Sequence, residues 1–431
     1  MKLSVNNFAK IKKADIIVDG ITVIAGENNT GKSTIGKVIF SIFNSLSDIE
    51  DKIINERIRV IENANRTILR SNIDLIEGSK SMAIRNLSRI LRRISNGVRQ
   101  LMNDEIAISL EKIRKIVSES IQLWEFSSFP EELIDEITES TSEILCLPEK
   151  TIVEEMITSF FNDVFHSQIN SLALGDALKA ILKLEIKGKV DEIIFENNEC
   201  KSYVDEINII HKAIYIDNPF IIDELSKYNN LSTMNNMLKY LLVDKYRENM
   251  FDGIIETVLA KEKLSDIYEK LQNVVNGNII LGKDEEFYLE NKDYDKPICF
   301  HNLSTGLKSF VILKMLLEKG CLKDKDVLIL DEPEIHLHPQ WQITYAEMIV
   351  LLQKQFDLSV VVTTHSPYFM DAINLFSYKY GIDKKVNYYV STMENNHVEL
   401  ECVTDNIEAI YKKMSSPIQV LESLRYELNN K

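Results

Sequence analysis

Apolar and polar positions alternate through residues 2–8 and again through 14–18, where Asp19-Gly20 breaks the run before Ile-Thr-Val-Ile-Ala over 21–25. A period of two, with an Asp-Gly pair between two runs, predicts strand, tight turn, strand. Gly and Asn over residues 26–32 end that pattern, and apolar residues then recur from Ser33 through Phe43 at helical spacing. From about 46 to 275, Ile, Leu and Met return every three or four residues, with no proline before Pro130. Breaks in phase near Gly78, Gly97, Pro130 and Pro148 predict several bundled helices rather than one long coiled coil. One exception is Lys-Ala-Ile-Tyr-Ile over 212–216 before Asp217-Asn218-Pro219, which predicts a buried strand ending in a turn.

A second α/β stretch is expected after Asn276-Gly277. Short strands are expected over 278–281, 286–289 and 298–300, then a helix over 307–319. Val-Leu-Ile-Leu over 327–330 is apolar throughout, as a central parallel strand requires. A helix opened by Pro339 follows, then an apolar strand over 358–362, strand-like runs over 386–390 and 397–403, and a helical tail from Ile407. The expected organisation is thus two lobes, 1–45 and 277–431, separated by a mainly helical insertion over 46–276.

Residues 26–33, Gly-Glu-Asn-Asn-Thr-Gly-Lys-Ser, match G-x-x-x-x-G-K-[ST] without a mismatch, after a strand and before a helix. Glycines let backbone N–H groups turn inward around phosphate, and the helix N-terminus adds its partial positive charge. Gly26, Asn28, Asn29, Thr30, Gly31, Lys32, Ser33 and Thr34 are therefore the candidate nucleotide-binding set. Lys32 would reach the β- and γ-phosphates, and the Ser33 hydroxyl would ligate Mg²⁺. A Gly-rich turn carrying a surface lysine is the plainer reading, and the flanking strand and helix argue against it.

Asp331-Glu332 ends the apolar strand of 327–330, which places Asp331 at the sheet's C-terminal edge, where ligands of open α/β sheets sit. Asp331 can hold Mg²⁺ through water, and Glu332 can polarise an attacking water as a general base. Acidic pairs are common in turns, and the P-loop in the same chain is what gives this one weight. Leu303-Ser304-Thr305-Gly306 opens a helix, so Ser304 and Gly306 make a second anion-binding helix end. A single nucleotide seldom needs both ends from one subunit, whereas two copies arranged head to tail would let each serve the other's ATP. His365, after the strand of 358–362, can donate to the γ-phosphate. Alone, the serine reads as an ordinary helix cap and the histidine as structural.

In chain order, residues 26–33, 303–306, 331–332 and 365 resemble the Walker A, signature, Walker B and switch-histidine motifs of ABC ATPases. Leu-Ser-Thr-Gly-Leu-Lys, Asp-Glu-Pro-Glu-Ile-His-Leu-His-Pro and Thr-Thr-His-Ser-Pro are similar, more narrowly, to the SMC-like and OLD-type (overcoming lysogenization defect) branch. That branch includes DNA-repair and chromosome ATPases and the ATPase subunits of bacterial anti-phage systems. The resemblance implies an α/β fold, an ABC-type P-loop ATPase head whose mixed sheet is flanked by helices, with a large mostly helical insertion. It implies ATP and Mg²⁺ as cofactors, with Lys32, Ser33, Asp331, Glu332 and His365 acting in cis. Ser304 and Gly306 would contact the γ-phosphate bound to the partner of a homodimer, and the Glu334-to-His338 loop would cross the dimer interface. Thr305 stands where the usual signature has its first glycine, and no lid glutamine is assigned.

Composition narrows the setting. The chain has 431 residues, 45% apolar and 27% charged, with five scattered cysteines and a net charge of −16. No apolar run approaches the roughly 18–20 residues of a membrane span, and the first residues carry no signal segment. A reducing, cytoplasmic location without a membrane is expected. The acidic balance gives no global attraction to nucleic acid, so any DNA contact must be local. One local patch qualifies: over 81–101, Arg85, Arg89, Arg92, Arg93 and Arg99 share a helix face opposite Ile84, Leu87, Ile90, Leu91, Ile94, Val98 and Leu101. Such a face suits DNA or an acidic partner surface, or else is solvated and paired with local carboxylates. The stretch after His365 is too short for an added nuclease domain, so a separate effector protein is expected to do any cutting. The expected function is a dimeric ATPase, alone or in a higher assembly, that couples nucleotide state to DNA sensing or to an effector in anti-phage defence. A DNA-repair or recombination ATPase, and an ATP-gated scaffold with slow hydrolysis, are the alternatives.

Overall fold

The alternation of the first residues becomes an antiparallel pair, β1 (Lys2–Phe8) and β2 (Ile11–Ile17), which turns Leu3, Val5 and Phe8 inward. The next strand, β3 (Ile21–Gly26), is buried along nearly its whole length. The computed structural model describes residues 1–73, 80–104, 108–122, 129–171, 178–227, 231–243, 265–291, 293–394 and 397–429. The chain divides into two compact units: residues 1–47 with 157–431, and residues 48–156.

The smaller unit is helical. It holds α2 (Ile49–Ser71), α3 (Lys80–Asn103), α4 (Leu110–Gln122), α5 (Glu131–Leu145) and the start of α6 (Glu149–Phe165), while α1 (Lys32–Leu46) belongs to the larger unit. Its core gathers Ile58, Ile61, Leu69, Ile90, Ile94, Val98, Ile113, Val117 and Ile137, the apolar faces expected from the three- and four-residue spacing. The buried Arg57 donates to the Leu147 carbonyl at 2.7 Å, which closes one end of the bundle.

The larger unit is built on an eleven-stranded sheet in the order β6-β5-β4-β1-β2-β14-β13-β3-β12-β11-β7. The further strands are β4 (Ala180–Ile186), β5 (Lys189–Glu196), β6 (Glu199–Val204), β7 (Ala213–Ile216), β11 (Val327–Asp331), β12 (Ser359–Thr364), β13 (Val386–Glu394) and β14 (His397–Cys402). A separate three-stranded sheet joins β8 (Asn278–Leu281), β9 (Phe287–Glu290) and β10 (Ile298–Cys299). The central strands β13, β3, β12, β11 and β7 run parallel, and β3, β11 and β7 are buried along nearly their whole length, as strands covered on both faces are.

Two helices of this unit, α7 (Thr233–Val243) and α8 (Ser265–Val274), share a core with α9 (Thr305–Glu318), α10 (Pro339–Phe356), α11 (Pro367–Tyr380) and the sheet residues Val23, Leu328, Leu330 and Val362. On the other face α1 packs so closely that a Cβ on Gly36 would lie 2.9 Å from Ile329 Cγ2. The chain closes with α12 (Glu408–Asn429).

The expected mainly helical stretch over 46–276 therefore contains more strand than the sequence reading allowed. In 180–186 the buried positions Ala180, Leu182 and Leu184 alternate with more exposed ones, and β4 continues the sheet by pairing with β1. A seven-residue alternation of this kind is easily lost among long helical runs. Among the described residues, no helix is long and apolar enough to cross a membrane.

Candidate nucleotide site

Parallel pairing brings five strands together along one edge. Ser391 is level with Gly26, Thr364 with Ala25, Asp331 with Thr363, and Leu330 with Ile216. This edge lies at the C-terminal ends of the strands, where open α/β sheets bind ligands.

The loop after β3 is pinned from both sides. Thr30 is buried and its hydroxyl bonds the Glu27 carbonyl at 2.7 Å and Ser391 Oγ at 2.6 Å. Ser391 also explains Gly26, because a Cβ there would lie 2.1 Å from Ser391 Oγ. Asn29 accepts from the Lys10 ammonium at 2.6 Å, and Asn28 is exposed beside it. Gly31 takes a left-handed conformation at φ 72° and caps α1 with no side-chain hydrogen bond. No side chain caps the first N–H groups of α1 at Gly31, which suits an anion site. Ser33 and Thr34 follow, both half-buried.

Lys32 is almost fully buried, donates to the Glu27 carbonyl at 2.7 Å and lies 3.8 Å from Glu332 Oε1. Burial holds its ammonium below the ordinary lysine value, against the pull of Glu332 and Asp331. Asp331 is fixed by three hydroxyls: Ser33 at 3.0 Å and Thr363 on one oxygen, and Tyr215 at 2.6 Å on the other. Burial and the neighbouring Asp331 charge push the Tyr215 phenol well above its ordinary value, so it stays a donor. Desolvation and the nearby Asp331 charge likewise raise the pKa of Asp217, the residue that follows β7.

Glu332 sits in the left-handed region at φ 51°, a conformation that costs a non-glycine residue about 1–2 kcal/mol. Its N–H donates to Thr363 Oγ1 at 3.0 Å, and its carboxylate bonds His365 Nε2. Glu334 is buried and accepts from the Thr364 hydroxyl at 2.6 Å, the His365 N–H at 2.7 Å and the Ser366 N–H at 3.2 Å. Burial raises its pKa. Gln342 of α10 completes the clasp, accepting from Ser366 Oγ at 2.6 Å and donating to the Leu337 carbonyl at 3.1 Å.

Ser304 caps α9, its hydroxyl 3.4 Å from the Leu307 N–H. With Thr305, Gly306, His336, His338 and Trp341 it lines an open cavity of about 350 Å³. The helix is anchored below by Lys308, buried and bonded to both Asp223 oxygens at 2.7 and 2.6 Å.

Lys32, Ser33, Asp331, Glu332 and His365 thus come together at one edge, and Ser304 with Gly306 at a separate exposed cavity. Of the arginine face, Arg89, Arg92 and Arg93 are exposed on α3 and Arg99 bonds Asn55 at 2.7 Å, while the Arg85 side chain lies outside the described residues. Sequence reading passed over Tyr215, Thr363, Ser391 and the clasp role of Glu334. A strand-terminal tyrosine in 212–216 was the available signal for the first.

Residues 159–371 match the family model described as "AAA domain, putative AbiEii toxin, Type IV TA system". The chain is 29% identical over 156 residues to the Septu protein PtuA of Bacillus thuringiensis, covering 32% of this chain and 38% of that protein. It is 24% identical over 368 residues to "Retron Vc95 probable ATPase" of Vibrio cholerae serotype O1 biovar El Tor, covering 80% of this chain and 66% of that protein. The chain thus spans less than two thirds of the length of either relative. Among solved structures, an SMC head domain from Thermotoga maritima is similar at 12% identity and a TM-score of 0.38, covering 93% of this chain and 98% of that one. Residues 159–371 thus carry an ATPase-domain match, and the chain is similar to a Septu protein and to a probable retron ATPase.

Proposed function

We propose that the chain binds and hydrolyses ATP with Mg²⁺ at composite sites of a homodimer and so drives a separate effector in anti-phage defence. The observation that carries this reading is the meeting of Lys32, Ser33, Asp331, Glu332 and His365 at the C-terminal edge of five parallel strands. The donor set suits a hard divalent cation: Ser33 Oγ and Asp331 Oδ1 lie 3.0 Å apart and both are oxygen donors. Bound there, Mg²⁺ would offset charge on the phosphates.

The remaining work falls to this chain's own groups. Lys32 and the first N–H groups of α1 hold the β- and γ-phosphates. Glu332, released from His365, takes a proton from the attacking water. His365 then donates to the γ-phosphate. Ser304 and the N-terminus of α9 close on that phosphate from the partner copy, which explains an anion-binding helix end that opens on its own cavity. The exposed arginines of α3, Arg89, Arg92 and Arg93, offer DNA or an acidic effector surface a docking face. The expected location is the cytoplasm.

The test is phosphate release by the purified chain with and without Mg²⁺, wild type against Glu332→Gln. Turnover that needs Mg²⁺ and falls at least about a hundredfold in the variant supports the reading. Equal rates would sink the role of Glu332. A pull-down with Glu332→Gln from nuclease-treated host lysate reads the second half: a stoichiometric protein trapped by ATP is the effector, whereas self-association with DNA alone favours a stand-alone DNA ATPase.

A further inference from the structure

The chain is strongly acidic, with a net charge of −16, yet lysines gather at the P-loop. Lys32 lies within it and Lys10 holds Asn29. A third, Lys413, comes from the far end of the sequence. It stands on the first turns of α12, half-buried, and its ammonium donates to the Ser391 carbonyl at 2.9 Å. Ser391 is the register partner of Gly26, and its hydroxyl holds Thr30. Lys413 is therefore one residue removed from the phosphate loop, on the side of β3 opposite β12. Its positive charge is felt by the Lys32 ammonium.

Fixing α12 to β13 does not call for a charge, since a neutral amide would donate to the Ser391 carbonyl equally well. Two ammonium groups of like sign at one sheet edge repel, and an anion bound between them turns that repulsion into attraction. Among the described residues Lys413 donates one of its three N–H groups to a neutral carbonyl, which carries no charge to offset its own.

We propose that Lys413 is a second phosphate-binding lysine: it takes the polyphosphate of the bound nucleoside triphosphate from the β13 side and ties α12 to nucleotide occupancy. This rests on the P-loop reading above. The lysine supplies charge to the phosphates, so its contribution grows with the number of phosphates on the ligand and falls with added salt.

Lys413→Gln keeps a donor for Ser391 and removes the charge, whereas Lys413→Arg keeps both. Binding of ATP and of AMP is measured by fluorescence at low and high salt for wild type, Lys32→Ala and both Lys413 variants, with the melting temperature of each free protein alongside. The expected result is about tenfold weaker ATP binding by Lys413→Gln at low salt, AMP binding little changed, and Lys413→Arg close to wild type. Hydrogen exchange in the first turns of α12 should slow on adding ATP to wild type and not to Lys413→Gln. The proposal is overturned if Lys413→Gln binds ATP as wild type does. It is overturned too if the variant loses ATP and AMP alike along with melting temperature, the mark of a purely structural contact. Failure of the P-loop reading looks different: Lys32→Ala then binds ATP as well as wild type.

Discussion

The Glu334 carboxylate accepts the backbone N–H of His365 at 2.7 Å, so the loop after β11 and the loop after β12 are held as one piece. The same oxygen takes the Thr364 hydroxyl and the Ser366 N–H. His365 and Glu332 can therefore meet only in the geometry this clasp sets. Replacing Glu334 with Ala removes the acceptor of the Thr364 hydroxyl and the His365 N–H, while the Ser366 N–H keeps Thr364 Oγ1 at 3.0 Å. The change should cost about 2–3 kcal/mol of stability, with turnover falling at least about tenfold while ATP binding at Lys32 persists. Thermal melting and steady-state kinetics check this together. Full turnover in the variant would remove the clasp from the account.

Glu334 also carries a pH signature. Burial raises its folded pKa above the usual carboxylate value, so between the two values the folded state holds a proton that the unfolded state has lost. Stability from this group is present at low pH and lost as pH rises through the raised folded value. Glu334→Gln, which cannot ionise, should therefore melt with a shallower decline as pH rises above the ordinary carboxylate value. Parallel pH profiles for the two proteins would contradict the assignment.

Tyr215 donates to the second oxygen of Asp331 at 2.6 Å from the neighbouring strand. Tyr215→Phe removes that bond and little else. The expected effect is about 1 kcal/mol of stability and apparent Mg²⁺ affinity weaker by about tenfold, the scale of lost outer-sphere support. A Mg²⁺ titration of phosphate release measures it, and an unshifted midpoint would show that Asp331 needs no such brace.

On α3 the exposed Arg89, Arg92 and Arg93 make a local positive strip on an acidic protein. If the strip binds DNA, replacing the three with Ser should weaken duplex binding and flatten its dependence on salt, because each lost phosphate contact removes about one unit of slope. Unchanged binding of DNA and of any captured effector would leave the strip as solvated surface.

The motif residues were legible because phosphate and Mg²⁺ chemistry dictates residue type and spacing within a few positions of each other: Gly26 to Ser33, Asp331 with Glu332, Ser304 with Gly306. Their supports were not. Tyr215 reaches Asp331, and Ser391 reaches Gly26, only because β7 pairs with β11 and β13 with β3, and strand order is written in no local pattern. The apolar runs at 327–330 and 358–362 became buried parallel strands because a doubly covered strand has no polar face to alternate. The strands over 180–204 were missed for the opposite reason: their alternation was short and stood between long helical stretches.

The central claim is that each nucleotide is served by two copies of the chain, the P-loop of one and the Ser304 end of the other. It is tested most directly by mixing two inactive variants, Lys32→Ala and Ser304→Arg, and measuring phosphate release. Each alone should be inactive. The mixture should recover about a quarter of the wild-type rate, because about half of the symmetric pairs are mixed and each mixed pair holds one intact site. Turnover by Ser304→Arg alone at the wild-type rate, or a mixture as inactive as its parts, would contradict the account.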